Sequence, residues 1–227
     1  MFEAVSLDFG GTLAYEVKGD YVVYQEILGE LGYNVELGKL EETFRGAMDW
    51  WRQEKARTDM LWDEETDAVW FESMLCSLTV PDSRRIAAKM VELWPLRIQY
   101  KAFDDAEPAL LELKRMGLRL IMVSNVPSLR ILSILVSQTG LMPFFDLLVA
   151  SGTVGFEKPD QRIFKLASQM SNIPVERIVH VGNKHEEDYL GASSAGMSSI
   201  LIDRTVAYGD LQCRKISTLF ELPGLLD

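Results

Sequence analysis

Cysteine, cationic residues and long apolar runs are all in short supply in this chain, and each shortage closes off a class of function. The two cysteines, Cys76 and Cys213, stand far apart without metal-ligand spacing. They offer no disulfide framework and fit a reducing compartment as two packed thiols. Lys and Arg number 23 against 34 Asp and Glu, a formal net charge of -11. Broad binding to nucleic acid or anionic lipid needs a basic face that meets surface charge and displaces counterions, so neither is expected as a partner. An anionic small molecule stays open if a local group of cations and backbone N–H groups works against the overall field. No apolar run approaches the roughly 18 residues of a membrane span. The opening stretch Met1 to Asp8 carries an acid where a secretory leader has bases. Internal repeats and low-complexity tracts are also missing. The expectation is a soluble, cytoplasmic protein, with no signal of its oligomeric state.

What is present is material for a large core. The chain has 227 residues, 48% of them apolar and 10% aromatic, enough for one large domain or a core with an insertion. Short apolar segments at Ala4 to Leu7, Leu118 to Val123, Asp146 to Ala150, Ile178 to Val181 and Ser198 to Ile202 read as strands. Helical periodicity fills the intervals between them. Residues 104–116 put Ala109, Leu110, Leu113 and Met116 on one face, with Asp104 and Asp105 suited to the amino end of the helix dipole. Pro127 and Pro159 suit first-turn positions ahead of Leu129, Leu132 and Val136, and of Ile163, Phe164, Ala167 and Met170. Strands alternating with such helices predict an α/β fold, a Rossmann-like parallel sheet with helices on both faces.

Residues 15–100 break that rhythm. They show no convincing strand and read as about four helices, one of them amphipathic, with Leu40, Phe44, Ala47, Met48 and Trp51 at helical spacing between Leu37 and Trp51. All five tryptophans (Trp50, Trp51, Trp62, Trp70 and Trp94) also fall here. The expected organisation is a core of residues 1–14 and 101–227 with a helical cap domain inserted at 15–100. Its tryptophans are expected to serve packing rather than a ligand cage.

Four polar stretches stand in chain order at predicted strand ends: Asp8-Phe-Gly-Gly-Thr12-Leu, Val123-Ser124-Asn125, Gly155-Phe-Glu-Lys158-Pro159, and Val181-Gly182-Asn183 running to Asp188. Singly, each has an ordinary explanation. Asp before Gly-Gly is turn chemistry, Ser124-Asn125 caps a helix, Lys158 is a solvated loop lysine, and Glu186 to Asp188 form an acidic helix start. Jointly, a carboxylate, a hydroxyl, helix N–H groups and a lysine beyond the carboxyl edge of one open sheet are the parts that hold a tetrahedral oxyanion. Of the histidines, His180 sits inside a buried-strand pattern and is expected to be structural. His185 lies on the fourth polar stretch, within reach of a ligand there.

This set, extended through Ser151 to Asp160 and Gly191 to Met197, resembles the motifs of the haloacid dehalogenase superfamily of hydrolases, and the insertion matches the family's helical cap in position and size. The resemblance implies a phosphatase on a small phosphorylated metabolite. Asp8 would be the nucleophile, forming an aspartyl intermediate that water hydrolyses. Thr12 would support the turn, Ser124, Gly11 and Asn125 would hold the transferring group, and Lys158 would neutralise its charge. Mg2+ would sit among Asp8, the Gly10 carbonyl and the loop of Asn183 and Asp188. Two positions depart from the family phosphatases. Gly10 replaces an Asp that usually protonates the leaving alcohol, and Asn183 replaces a metal-binding Asp, with Glu187 or Glu186 available to compensate. Those losses keep two alternatives open: a catalytically impaired binding or regulatory protein, and carbon-centred hydrolysis of the 2-haloacid dehalogenase type.

Overall fold

Five short apolar segments and a two-residue edge strand pair into one sheet, whose central strands are buried along their length. The computed structural model describes residues 1–58 and 60–226. In chain order it runs β1 (Ala4–Leu7), β2 (Ala14–Glu16), α1 (Asp20–Glu30), α2 (Leu37–Thr58), α3 (Glu64–Ser77), α4 (Ser83–Arg97), β3 (Tyr100–Ala102), α5 (Ala106–Arg115), β4 (Arg119–Ser124) and α6 (Leu129–Gln138). It continues with β5 (Leu147–Ala150), α7 (Ser151–Val154), α8 (Gln161–Ser171), β6 (Ile178–Gly182), α9 (Gly191–Ala195), β7 (Ser198–Ile202) and β8 (Lys215–Ile216). The chain divides into two units, Met1–Tyr15 with Tyr100–Asp227, and Glu16–Gln99.

In the first unit the sheet order is β5-β4-β1-β6-β7-β8, with every neighbouring pair parallel. Central β1 is buried along its whole length, as the continuous apolar run of a two-sided parallel strand predicts. Ala4, Ile121, Val123 and Val149 pack on one face with Ile163, Phe164 and Ala167 of α8 and Ala192 and Ala195 of α9. Val5, Leu7, Leu120 and Met122 alternate to the other face and are equally buried. Leu7 pairs with Met122 on one side and Val181 on the other. This register brings Asp8, Ser124 and Asn183 to the same carboxyl edge, beside the strand where the sheet order reverses.

The prolines sit earlier than first-turn positions. Ser128 is the N-cap of α6, its hydroxyl accepting from Ile131 N at 3.2 Å, and Asp160 caps α8 by accepting from Arg162 N at 2.8 Å. Pro127 and Pro159 therefore precede the caps, because a side-chain acceptor for the free helix N–H groups sets each start. Asp105 stands at the N-cap of α5 but makes no cap bond there; its carboxylate accepts instead from Arg204 and Leu219 N.

The second unit holds α1 to α4 around an aromatic cluster. Trp70 lies edge-on to Phe44 and Phe71, at 5.8 and 5.2 Å between ring centroids, and Trp51 meets Trp62 at 4.5 Å. Trp50 points outward and is 39% exposed. Helix α2 outruns the predicted Leu37 to Trp51; its last turns lack apolar periodicity but carry Arg52–Asp49 and Arg57–Glu54 pairs one turn apart. No helix among the described residues is long and apolar enough to cross a membrane.

Candidate active site

Beyond β1 the backbone reverses at once. Leu13 N donates to Phe9 O at 2.9 Å and Gly11 N to Ala14 O at 2.7 Å, with Gly11 at φ +79°. A Cβ on Gly11 would stand 2.3 Å from Asn183 Nδ2, so both the left-handed conformation and the close approach require glycine. Inside this turn Thr12 Oγ1 donates to Asp8 Oδ2 at 3.1 Å. The Thr12 carbonyl accepts from Arg204 Nη2 at 2.7 Å, and Arg204 also binds Asp105 in a fork at 2.8 and 2.9 Å while lying 3.8 Å over the Phe103 ring. Arg204 had no signal in the sequence, since its partner Asp105 is 99 residues away and only the fold makes the pair.

Lys158 is the hub of the site. Its Nζ donates to Asp8 Oδ1 and to Asp188 Oδ1, each at 2.6 Å, and its side chain is 1% exposed. Asp188 receives two further donors, Lys184 N on Oδ2 at 2.9 Å and His180 Nε2 on Oδ1 at 3.3 Å. Because an ionised carboxylate only accepts, His180 carries its proton on Nε2, and Nδ1 takes the Ser6 hydroxyl at 2.9 Å. His180 is thus fully buried structure, with Phe164 packed edge-on at 5.0 Å. A Cβ on Gly182 would fall 2.2 Å from Asp188 Cγ, so glycine there lets the acid fold back under the lysine.

These contacts divide the charge unequally. Burial pushes the Asp8 carboxyl up from its ordinary value, against the pull of Lys158, and the Asp188 charge adds to the rise. Burial acts on Asp188 too, but Lys158 and then the His180 hydrogen bond outweigh it and hold that carboxyl well below the usual range. Lys158 is held above its ordinary value because the two carboxylates overcome its burial. Burial lowers His180 and keeps it neutral. The arrangement is a firm Lys158–Asp188 pair beside a less firmly ionised Asp8.

Ser124 is buried at the end of β4, on the same edge as Asp8. Asn125 clamps the Lys158 backbone, its Oδ1 accepting from Lys158 N at 2.8 Å and its Nδ2 donating to Lys158 O at 2.9 Å and to Glu187 Oε2 at 3.2 Å. The Asn125 side chain is therefore engaged in positioning Lys158. Glu187 is further paired with Lys184 at 3.0 Å, and His185 stacks on Tyr189 at 5.5 Å.

Whether the residues fit a divalent cation turns on one atom. Asn183 Oδ1 is buried and has no hydrogen-bond donor, and the Asn183 amide lies against Gly11 in the Asp8 loop. An amide oxygen, the Gly10 carbonyl and the Asp8 carboxylate form a hard donor set suited to an ion that keeps several waters. Asp188 accepts on both oxygens, as Asp8 does from Lys158 and Thr12, and it is the acid that also anchors Lys158. No group of three or more His, Cys, Asp or Glu among the described residues is placed to hold a metal.

A family model described as haloacid dehalogenase-like hydrolase matches residues 2–196. The chain is 43% identical over 103 residues to the glyceraldehyde 3-phosphate phosphatase of Methanothermobacter thermautotrophicus, a match covering 45% of each chain. It is 35% identical over 109 residues to the phosphoserine phosphatase of Thermus thermophilus, over 48% of this chain and 43% of that one. Both matches thus span less than half of the relative's length. The 2-haloacid dehalogenase of Pseudomonas syringae pv. Tomato DC3000 superposes with a TM-score of 0.75 at 21% identity, over 100% of this chain and 98% of that one; this likeness is one of fold.

Proposed function

The chain belongs to the haloacid dehalogenase-like hydrolases, and we propose that within them it is a phosphatase acting on a small phosphorylated metabolite through an aspartyl-phosphate on Asp8. The observation that carries this reading is the buried lysine 2.6 Å from the carboxylate that follows β1. A nucleophile needs a free lone pair, and a phosphoryl group brings its own negative charge toward it. Lys158 meets both needs, since it favours the ionised form of Asp8 and faces the incoming anion with a cation that Asp188 keeps in place. Thr12 fixes the Asp8 carboxylate on its other oxygen, while the Ser124 hydroxyl and loop N–H groups supply donors for the transferring group. Both phosphatase relatives named above are called after small phosphorylated compounds, which supports the same class here.

Mg2+ is the expected cofactor, held by Asp8, the Gly10 carbonyl, Asn183 and Asp188, and it would supply charge neutralisation on the phosphoryl oxygens when bound. With a neutral amide at position 183 and Asp188 shared with Lys158, its hold is weak. The helical unit, Glu16–Gln99, serves in this reading as the cap that selects the substrate.

The test is a hydrolysis screen over phosphomonoesters, acetyl phosphate and 2-haloacids, with and without Mg2+, beside Asp8→Asn. Phosphate release that Asp8→Asn abolishes supports the proposal. Halide release without phosphate turnover assigns the chain to carbon-centred hydrolysis instead. Ligand binding with no turnover of any compound leaves the regulatory reading.

A further inference from the structure

We infer that the substrates are phosphates whose leaving group departs without a proton from the site, namely acyl, enol and aryl phosphates rather than phosphates of simple alcohols. The inference rests on the phosphatase reading and concerns the group that the phosphoryl leaves behind. In the transition state the Asp8–phosphorus bond forms as the bond to the leaving oxygen breaks, and that oxygen takes the electron pair. A carboxylate, enolate or phenolate bears the pair unaided, whereas an alkoxide needs a proton delivered as it forms. Water then attacks phosphorus and breaks the bond to Asp8. This returns the carboxylate and yields inorganic phosphate, with the proton of water carried by phosphate or solvent.

The titratable groups hydrogen-bonded to Asp8 and to its partners do not deliver that proton. Lys158 gives its protons to two carboxylates, donating to Asp8 and Asp188 at 2.6 Å each. Asp188 is ionised, with both oxygens accepting. His180 is neutral and fully buried between Ser6, Asp188 and Phe164, with its one proton given to Asp188. The Thr12 hydroxyl proton points at Asp8. Glu187 is an acceptor for Asn125 and Lys184. Position 10 could carry a donor two residues beyond the nucleophile, yet it is glycine, and a Cβ built there meets nothing within 4 Å. The space for an acid is open and the acid is absent.

The experiment is a leaving-group series of aryl and alkyl phosphates with acetyl phosphate, read by phosphate release for the parent and for Gly10→Asp. General acid help is worth roughly 10² to 10⁴ in rate. The parent's rate should therefore rise steeply with leaving-group acidity, alkyl phosphates trailing by about that factor. Gly10→Asp should gain more on alkyl than on aryl phosphates and flatten the slope. A parent that turns over alkyl phosphates as fast as aryl ones overturns the inference while leaving the phosphatase reading intact. So does a Gly10→Asp protein with parental circular dichroism and no relative gain on alkyl phosphates; if that variant does not fold, the parent's slope decides alone. No phosphate release from any compound, with no labelling of Asp8 by acetyl phosphate, removes both readings together.

Discussion

Replacing Lys158 by Met should destabilise the first unit by about 4 kcal/mol at pH 7, and by less as the pH falls. Lys158 contacts two carboxylates at 2.6 Å, with side-chain exposures of 1% for Lys158, 10% for Asp8 and 1% for Asp188. Methionine keeps most of the volume, so the cost is electrostatic, and stripping one partner from a buried pair costs about 3–5 kcal/mol. Protonation sets a ceiling. Keeping one carboxyl neutral at pH 7, when its unfolded pKa is near 3.9, costs about 1.4 kcal/mol per pH unit, or about 4 kcal/mol in all. Asp188 retains Lys184 N and His180 as donors, so Asp8 is the group that takes the proton. Its folded pKa then lies above the unfolded value, and that contribution to stability is complete below the unfolded pKa and lost as pH rises through the folded one. In the parent the depressed Asp188 works the other way, stabilising above the unfolded pKa and losing that effect only as pH falls through the folded value. Burial already raises Asp8 in the parent, so the gap between the two proteins should open where the parent's Asp8 gives up its proton and widen with pH above that point. Urea unfolding followed by far-UV ellipticity and by hydrogen exchange of the β1 and β4 amides measures it at pH 5, 6 and 7. Tryptophan emission would not, because all five tryptophans fall within residues 16–99. A gap under about 1 kcal/mol, or one that does not change with pH, would refute the placement of Lys158 as the shared counter-charge.

The helical unit should lose stability as pH rises from about 5 to 8. Burial, then the charge of Glu16, lifts Asp20 to about 6 against a hydrogen bond from Trp94, while burial, then Asp20, Glu64 and Asp63, lifts Asp67 to about 7. Raised folded values mean stability that is complete below the unfolded pKa and lost as pH climbs through 6 to 7. Asp67 alone accounts for about 2 kcal/mol between pH 5 and 7; urea midpoints by tryptophan emission should flatten in Asp67→Asn, and a parental slope in that variant would reject the cause. Asn183→Asp should tighten Mg2+ by roughly 10- to 100-fold, since a new charge beside the ion is worth a few kcal/mol before desolvation. Calorimetric titration with Mg2+ reads this without any substrate, and unchanged affinity would remove Asn183 from the donor set.

Much of the fold was legible because its determinants are local. Ala4 to Leu7 and Ser198 to Ile202 form strands with the predicted bounds; two others differ by one residue at one end, and Leu118 to Val123 moves by one residue at both ends, as expected when an apolar run outlasts or falls short of its ladder. Strands β2, β3 and β8 were not legible, having two or three residues each, too few to show a period. The cap residues Ser128 and Asp160 were available in the sequence, but a neighbouring proline is an equally good local signal, and only hydrogen bonding separates the two. In the site, the identity of the polar residues was legible and their commitments were not. Asn125 is a candidate ligand group by its motif, and its two polar contacts to the Lys158 backbone have no local signal. Asp105 was expected to serve a helix dipole, but it holds the arginine that holds Thr12. Such pairings join distant parts of the chain, and composition and spacing do not encode them.

Each of the two departures in the site has two opposing effects on phosphate binding, and Gly10 alone bears on leaving-group protonation. With Lys158 matched to Asp188, the charge left facing a phosphoryl group is that of Asp8 alone. An Asp at position 10 or 183 would each add another negative charge beside that group, so a four-acid site depends on its metal to admit an anion at all. Here Gly10 and Asn183 are neutral. The same substitutions that weaken the hold on Mg2+ also reduce the repulsion that Mg2+ has to offset. Anion binding can therefore survive both losses, whereas nothing about a lower charge supplies a proton to an alkoxide. Reactivity is expected to be narrowed by leaving group more than by affinity for the phosphoryl end. In kinetic terms, substrates of poor leaving groups should bind with ordinary KM and fail in kcat.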